Sequence, residues 1–87
     1  MSVSGKVKAL LSIKDKDRNE LAKYLGISSQ ALSNKFYRDS FSSSDLIKIA
    51  DFVGCPLAFI VDDTLRISLD TNDIKGYDNL SDNNDLN

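Results

Sequence analysis

Residues 17–37 read DRNELAKYLGISSQALSNKFY, and the fold turns on how this stretch divides. Asp17 reads as a helix N-cap, and Glu20 three residues later completes a capping-box pattern. Leu21 and Leu25 recur at helical spacing, with Ala22 beside them as a small residue that admits a close neighbour. Gly26 falls where the helix must stop, because a left-handed C′ position favours a residue without a Cβ. Ile27 is expected to plug the turn. Ser28 is a fresh N-cap for a second helix, in which Leu32 and Phe36 stack at i and i+4.

The opposite face of that second helix carries Gln30, Asn34 and Tyr37, with Ser33 on its flank and Ser29 in its first turn. These are amides and hydroxyls rather than the Lys/Glu mixture of an ordinary solvated face. A carboxamide donates to N7 and accepts from N6 of adenine in the major groove, and a serine hydroxyl serves several bases. Two capped helices about a Gly turn, the second with polar tips, resemble the helix-turn-helix. The alternative is a plain helical hairpin whose polar face is only solvated, and spacing alone leaves both readings open.

Charge separates along the chain. The formal net charge of −2 looks wrong for a polyanion binder, yet residues 1–48 hold nine Lys/Arg against five Asp/Glu, whereas residues 70–87 hold one Lys against five Asp. The half containing the helix pair is basic, and an acidic tail masks it in the total. The 87 residues suffice for one small domain with a modest core. There is one cysteine, Cys55, and no histidine, so zinc sites, Cys-His nucleophiles and Ser-His-Asp triads have nothing to be built from. An enzyme is not expected, nor any metal, cofactor or small-molecule ligand. No apolar run is long enough for a transmembrane helix. The opening MSVSGKVKALL lacks the features of a signal peptide, so a cytoplasmic protein is expected.

Upstream of the central pair, Ser2 to Ile13 reads as a helix with Val3, Val7, Leu10 and Leu11 as its core stripe, starting from Ser2 or Ser4. Downstream, Arg38-Asp39-Ser40-Phe41 reads as a loop whose aromatic plugs into the core, with Arg38 either on phosphate or paired to Asp39 or Asp45. Ser42 and Asp45 form a capping box for a helix with Leu46, Ile47, Ile49, Ala50 and Val53 inward, ended by Gly54 and Pro56. Cys55 is expected as a small buried hydrophobe at that corner.

The period then becomes extended. Leu57 to Val61 is β-branched and aromatic, Asp62-Asp63-Thr64 is turn-like, and Leu65 to Leu69 alternates, which predicts a β-hairpin. A short fifth helix over 56–61 is the competing reading. Leu57, Phe59 and Val61 fall on one face of the first strand and Ala58 and Ile60 on the other, so both faces are apolar. One face for the core and one for a partner chain explains this, and makes Leu57, Phe59, Ile60, Val61, Leu65, Ile67 and Leu69 candidate dimer contacts. Residues 70–87, with isolated Ile74, Tyr77, Leu80 and Leu86, read as an acidic, disordered or loosely docked tail.

At Leu21-Ala-Lys-Tyr-Leu-Gly-Ile-Ser28 the chain resembles the Cro/repressor-like (XRE) helix-turn-helix family, and the resemblance continues through Gln30 to Phe36 and Leu46 to Gly54. It implies that the helix from Ser28 is the recognition helix, with base contacts at Ser29, Gln30, Ser33 and Asn34. It places phosphate contacts at Arg18, Tyr37, Arg38 and Ser40, and Ser28 and Lys35 stand beside these as further phosphate candidates. Two departures stand out: the family usually has an apolar residue where Lys35 stands, and often a fifth helix where this chain reads as a hairpin.

The expected architecture is therefore mostly α, a lambda-repressor-like helix-turn-helix core of four helices with a C-terminal β-hairpin. Its expected division is a DNA-binding core over 1–54, a dimerising hairpin over 55–69 and a tail over 70–87. The expected function is regulation of transcription by a homodimer on double-stranded DNA. The alternative is a protein-interaction module on the same scaffold, as in an antitoxin or a phage accessory factor.

Overall fold

The computed structural model describes residues 2–74. Four helices come first, α1 (Val3–Ile13), α2 (Arg18–Leu25), α3 (Ser29–Arg38) and α4 (Ser43–Val53). An antiparallel pair, β1 (Leu57–Ile60) and β2 (Arg66–Leu69), and a 3-10 turn at Thr71–Asp73 follow. The expected mostly-α class with a C-terminal hairpin holds, and the region 56–61 is strand rather than helix.

Local chemistry accounts for the helix ends. Ser2 caps α1 by accepting from the Gly5 amide, which places the start at the earlier of the two serines. Ser28 caps α3 through the Ala31 amide, and Ser42 with Asp45 closes a reciprocal capping box on α4. Gly26 and Gly54 both sit at φ +73, the left-handed turn that ends α2 and α4. The box expected at α2 does not close: Asp17 accepts from the Asn19 amide at 2.8 Å, one residue nearer than a box requires. Helix α3 also runs one residue past the expected loop start and takes in Arg38, with Asp39 as its left-handed C-cap at φ 57.

Leu21, Leu32 and Ile49, one each from α2, α3 and α4, are the largest side chains wholly removed from water. Val7 and Leu11 of α1, Ala22, Phe36 and Val53 complete the cluster, with Leu10, Leu25, Ile27 and Phe41 packed on its margin. Two expectations shift here. Val3 is exposed at 42%, at the end of the α1 stripe, where it lines an open groove with Leu46 and Ile49 of α4 and Leu57 of β1. Ile27 and Cys55 are half-buried rather than enclosed. Phe41 docks as expected, edge-on to Phe36 with centroids 5.1 Å apart. On the other side of the core, Tyr24 of α2 stacks against Phe52 of α4 at 5.3 Å and donates its hydroxyl to Asp51.

The hairpin register pairs Leu57 with Leu69, Ala58 with Ser68, Phe59 with Ile67 and Ile60 with Arg66. Its turn is organised by Asp62, whose Oδ1 accepts from the Thr64 and Leu65 amides at 2.9 and 3.0 Å and from the Thr64 hydroxyl at 3.0 Å. These bonds hold the Asp62 carboxyl below the usual carboxylate range. The base of the hairpin, Leu57, Ala58 and Leu69, is half-buried, and β1 contacts α4. Its outer part is bare: Phe59, Ile60, Val61, Leu65 and Ile67 are all more than half exposed.

At the start of the acidic stretch Asp70 caps the 3-10 turn, which docks on α4. The remainder of the acidic stretch, including Tyr77, Leu80 and Leu86, lies outside the described residues. Among the described residues no helix is long and apolar enough to cross a membrane.

Candidate nucleic-acid interface

Burial sets the roll of α3. Leu32 and Phe36 are inside, Ala31 and Lys35 are half-buried, and Gln30, Ser33, Asn34 and Tyr37 are exposed together on the far side. At 100° per residue those four span about a quarter of the helix circumference, with Asn34 opposite the buried pair and Ser33 on the flank. Tyr37 is 90% exposed, an unusual setting for an aromatic ring on a short helix. Gln30 and Asn34, one turn apart, share a long hydrogen bond of 3.5 Å from Nε2 to Oδ1. The two carboxamides are therefore neighbours on one face, as the wheel implied.

The first turn of α3 is tied to α2. The Ser29 hydroxyl donates to Asn19 Oδ1 at 3.1 Å, and the Ser28 hydroxyl accepts from Ala31 at 3.0 Å. Ser28 and Ser29 are both exposed at the start of α3, beside the second residue of α2. Asn19 carried no signal in the sequence, because its role depends on how α2 and α3 cross.

The cations expected on phosphate are placed differently from one another. Arg18 opens α2 with its guanidinium carbon 3.9 Å from the centre of the Phe36 ring. Lys35 donates to Asp45 Oδ2 at 2.9 Å, in an ion pair that bridges α3 and α4. Asp45 also accepts the Ser42 amide at 2.9 Å. Partial burial pushes the Asp45 carboxyl up, but the Ser42 amide and the Lys35 ammonium outweigh it and hold it below the usual range. This pair explains the departure at Lys35: the residue stands half inside because a carboxylate on α4 receives it.

Arg38 is exposed in the last turn of α3, where a cation favours the negative end of the helix dipole. Neither carboxylate offered to it by sequence takes it, since Asp45 holds Lys35 and Asp39 accepts the Ser4 amide. Ser40, also exposed, donates its amide to the Lys35 carbonyl at 3.0 Å. Among the described residues, no three His, Cys, Asp or Glu side chains converge to hold a metal ion.

A helix pair crossing at a left-handed glycine, with an amide-bearing face turned out on its second member, defines a helix-turn-helix DNA-binding domain. Residues 8–64 match the bacteriophage CI repressor helix-turn-helix domain, and the chain belongs to that family. No curated protein and no solved structure matches it. The family makes this chain a DNA-binding regulator, and the stretch matched includes the first strand of the hairpin.

Proposed function

We propose that the chain is a cytoplasmic transcriptional regulator that binds double-stranded DNA sequence-specifically as a homodimer. The observation that carries this reading is the exposed face of α3, where Gln30, Asn34 and Tyr37 stand opposite the buried Leu32 and Phe36 with Ser33 on the flank. Gln30 and Asn34 read base edges, with Ser29 and Ser33 beside them. Arg18, Ser28, Tyr37, Arg38 and Ser40 anchor the phosphates, and Lys35 joins them by exchanging Asp45 for a phosphate oxygen. Residues 1–54 serve as the DNA-binding part.

The hairpin over 55–69 is the dimerising element. Phe59, Ile60, Val61, Leu65 and Ile67 form a bare apolar patch on a two-stranded sheet, and such a sheet is marginal without a cover. Leu57 and Leu69 contribute from the half-buried base. Two recognition helices related by a two-fold axis would read half-sites about one helical turn apart.

The test is selection of random duplexes by the purified protein at two salt concentrations, with its mass measured by sedimentation. Enrichment of a palindrome by a dimer supports the whole reading. No enrichment by folded protein would transfer the function to the apolar hairpin, as a dock for a different protein.

A further inference from the structure

We propose that Lys8 of α1 is a second phosphate ligand beside Arg18, and that the Phe36 ring holds the two cations as one clamp on the DNA backbone. This rests on the DNA-binding reading above and adds a residue from outside the helix-turn-helix pair. The Arg18 guanidinium carbon lies 3.9 Å from the ring centroid, and Lys8 Nζ lies 5.9 Å from the same point. The platform is rigid. Phe36 is buried at 7%, and the edge contact from Phe41, with the ring planes 81° apart, fixes its orientation.

The placement of Lys8 is fixed as well. It stands one turn after Ser4 on the same face of α1, and Ser4 is bonded to α3 twice, by its hydroxyl to the Phe36 carbonyl at 2.8 Å and by its amide to Asp39. Lys6, two residues away, is on another face and lines the apolar groove between α1, α4 and the start of β1.

Two cationic heads gathered on one ring repel each other. Both are exposed, and among the described residues neither pairs with a carboxylate. Asp17, next to Arg18 in sequence, accepts the Asn19 amide, and Asp39, at the end of α3, accepts the Ser4 amide. A guanidinium lying on a ring keeps its N–H donors for an anion, and an ammonium brings three more. A phosphodiester between them relieves the repulsion and releases its counterions.

The test is the salt dependence of DNA binding by the full chain, on both a selected duplex and a random one. Lys8→Gln is expected to lower the slope of log K against log salt by about 1 and to weaken all duplexes alike. Lys8→Arg is expected to keep the slope, and Lys6→Gln to change it much less than Lys8→Gln. A Lys8→Gln slope equal to wild type, in protein with unchanged helix content, overturns the clamp and leaves DNA binding standing. So does an equal loss in Lys6→Gln, since that would be the general field of the basic half. Failure of the wild-type chain to bind any duplex overturns both.

Discussion

Asp39, the last cap of α3, gives its carboxylate to α1: Oδ1 accepts the Ser4 amide at 2.6 Å. A carboxylate is unfavourable at the C-terminus of its own helix but favourable at the N-terminus of another, where free amides and the dipole attract it. Together with Ser2 on the Gly5 amide, it satisfies two of the open donors of α1. The contact also fixes the end of the recognition helix against the helix that carries Lys8.

The Ser4 bonds hold the Asp39 carboxyl below the usual carboxylate range. A depressed folded-state value adds stability above the unfolded pKa, and that stability is lost as pH falls through the folded one. Asp39→Asn is therefore expected to be less stable than wild type at neutral pH. The difference should begin to shrink below about pH 4, where the unfolded-state carboxyl takes up its proton, and close only below the depressed folded-state value. Urea unfolding at pH 7 and at successively lower pH checks this; a constant difference would contradict it.

Ser4 is the only buried polar residue among those described, and its hydroxyl donates to the Phe36 carbonyl at 2.8 Å. Ser4→Ala removes that bond without adding volume. The expected cost is about 1 kcal/mol, which lowers the thermal midpoint of a domain this size by about 4–8 °C. Calorimetry would show it, and an unchanged midpoint would mean the bond adds nothing net.

Gln30→Ala and Asn34→Ala are each expected to relax preference at one base pair, by about 1–3 kcal/mol if the lost contact is bidentate. Arg38→Ala should instead weaken all sequences equally. Competition binding against singly substituted duplexes separates the two patterns. Uniform loss in the Gln30 and Asn34 variants would move the readout to another face of α3.

Phe59 and Ile67 face each other across the hairpin, and both are more than half exposed. Phe59→Lys combined with Ile67→Glu keeps a compatible cross-strand pair while removing the apolar surface. We expect this variant to sediment as a monomer where wild type is a dimer, with helix content retained and DNA affinity reduced. A variant that remains a dimer would place the two-fold interface elsewhere.

Taken alone, the residues determined what depends on near neighbours. The caps at Ser28 and Ser42, the stops at Gly26 and Gly54, the inward Leu32–Phe36 stripe and the change to extended period after Pro56 are all local in sequence. The opposition of Gln30 and Asn34 to that stripe follows from the helix repeat itself. Tertiary structure decided what depends on distant groups. Lys35 pairs with Asp45 across ten positions, Asp39 reaches Ser4 across thirty-five, and Lys8 and Arg18 reach one ring only because α1 and α2 both pack beside Phe36. Val3 shows the same limit, since a wheel assigns it to the core face but cannot say that the groove it lines with α4 and β1 stays open. Periodicity specifies which way a side chain points, whereas the partner it finds is set by how the elements pack.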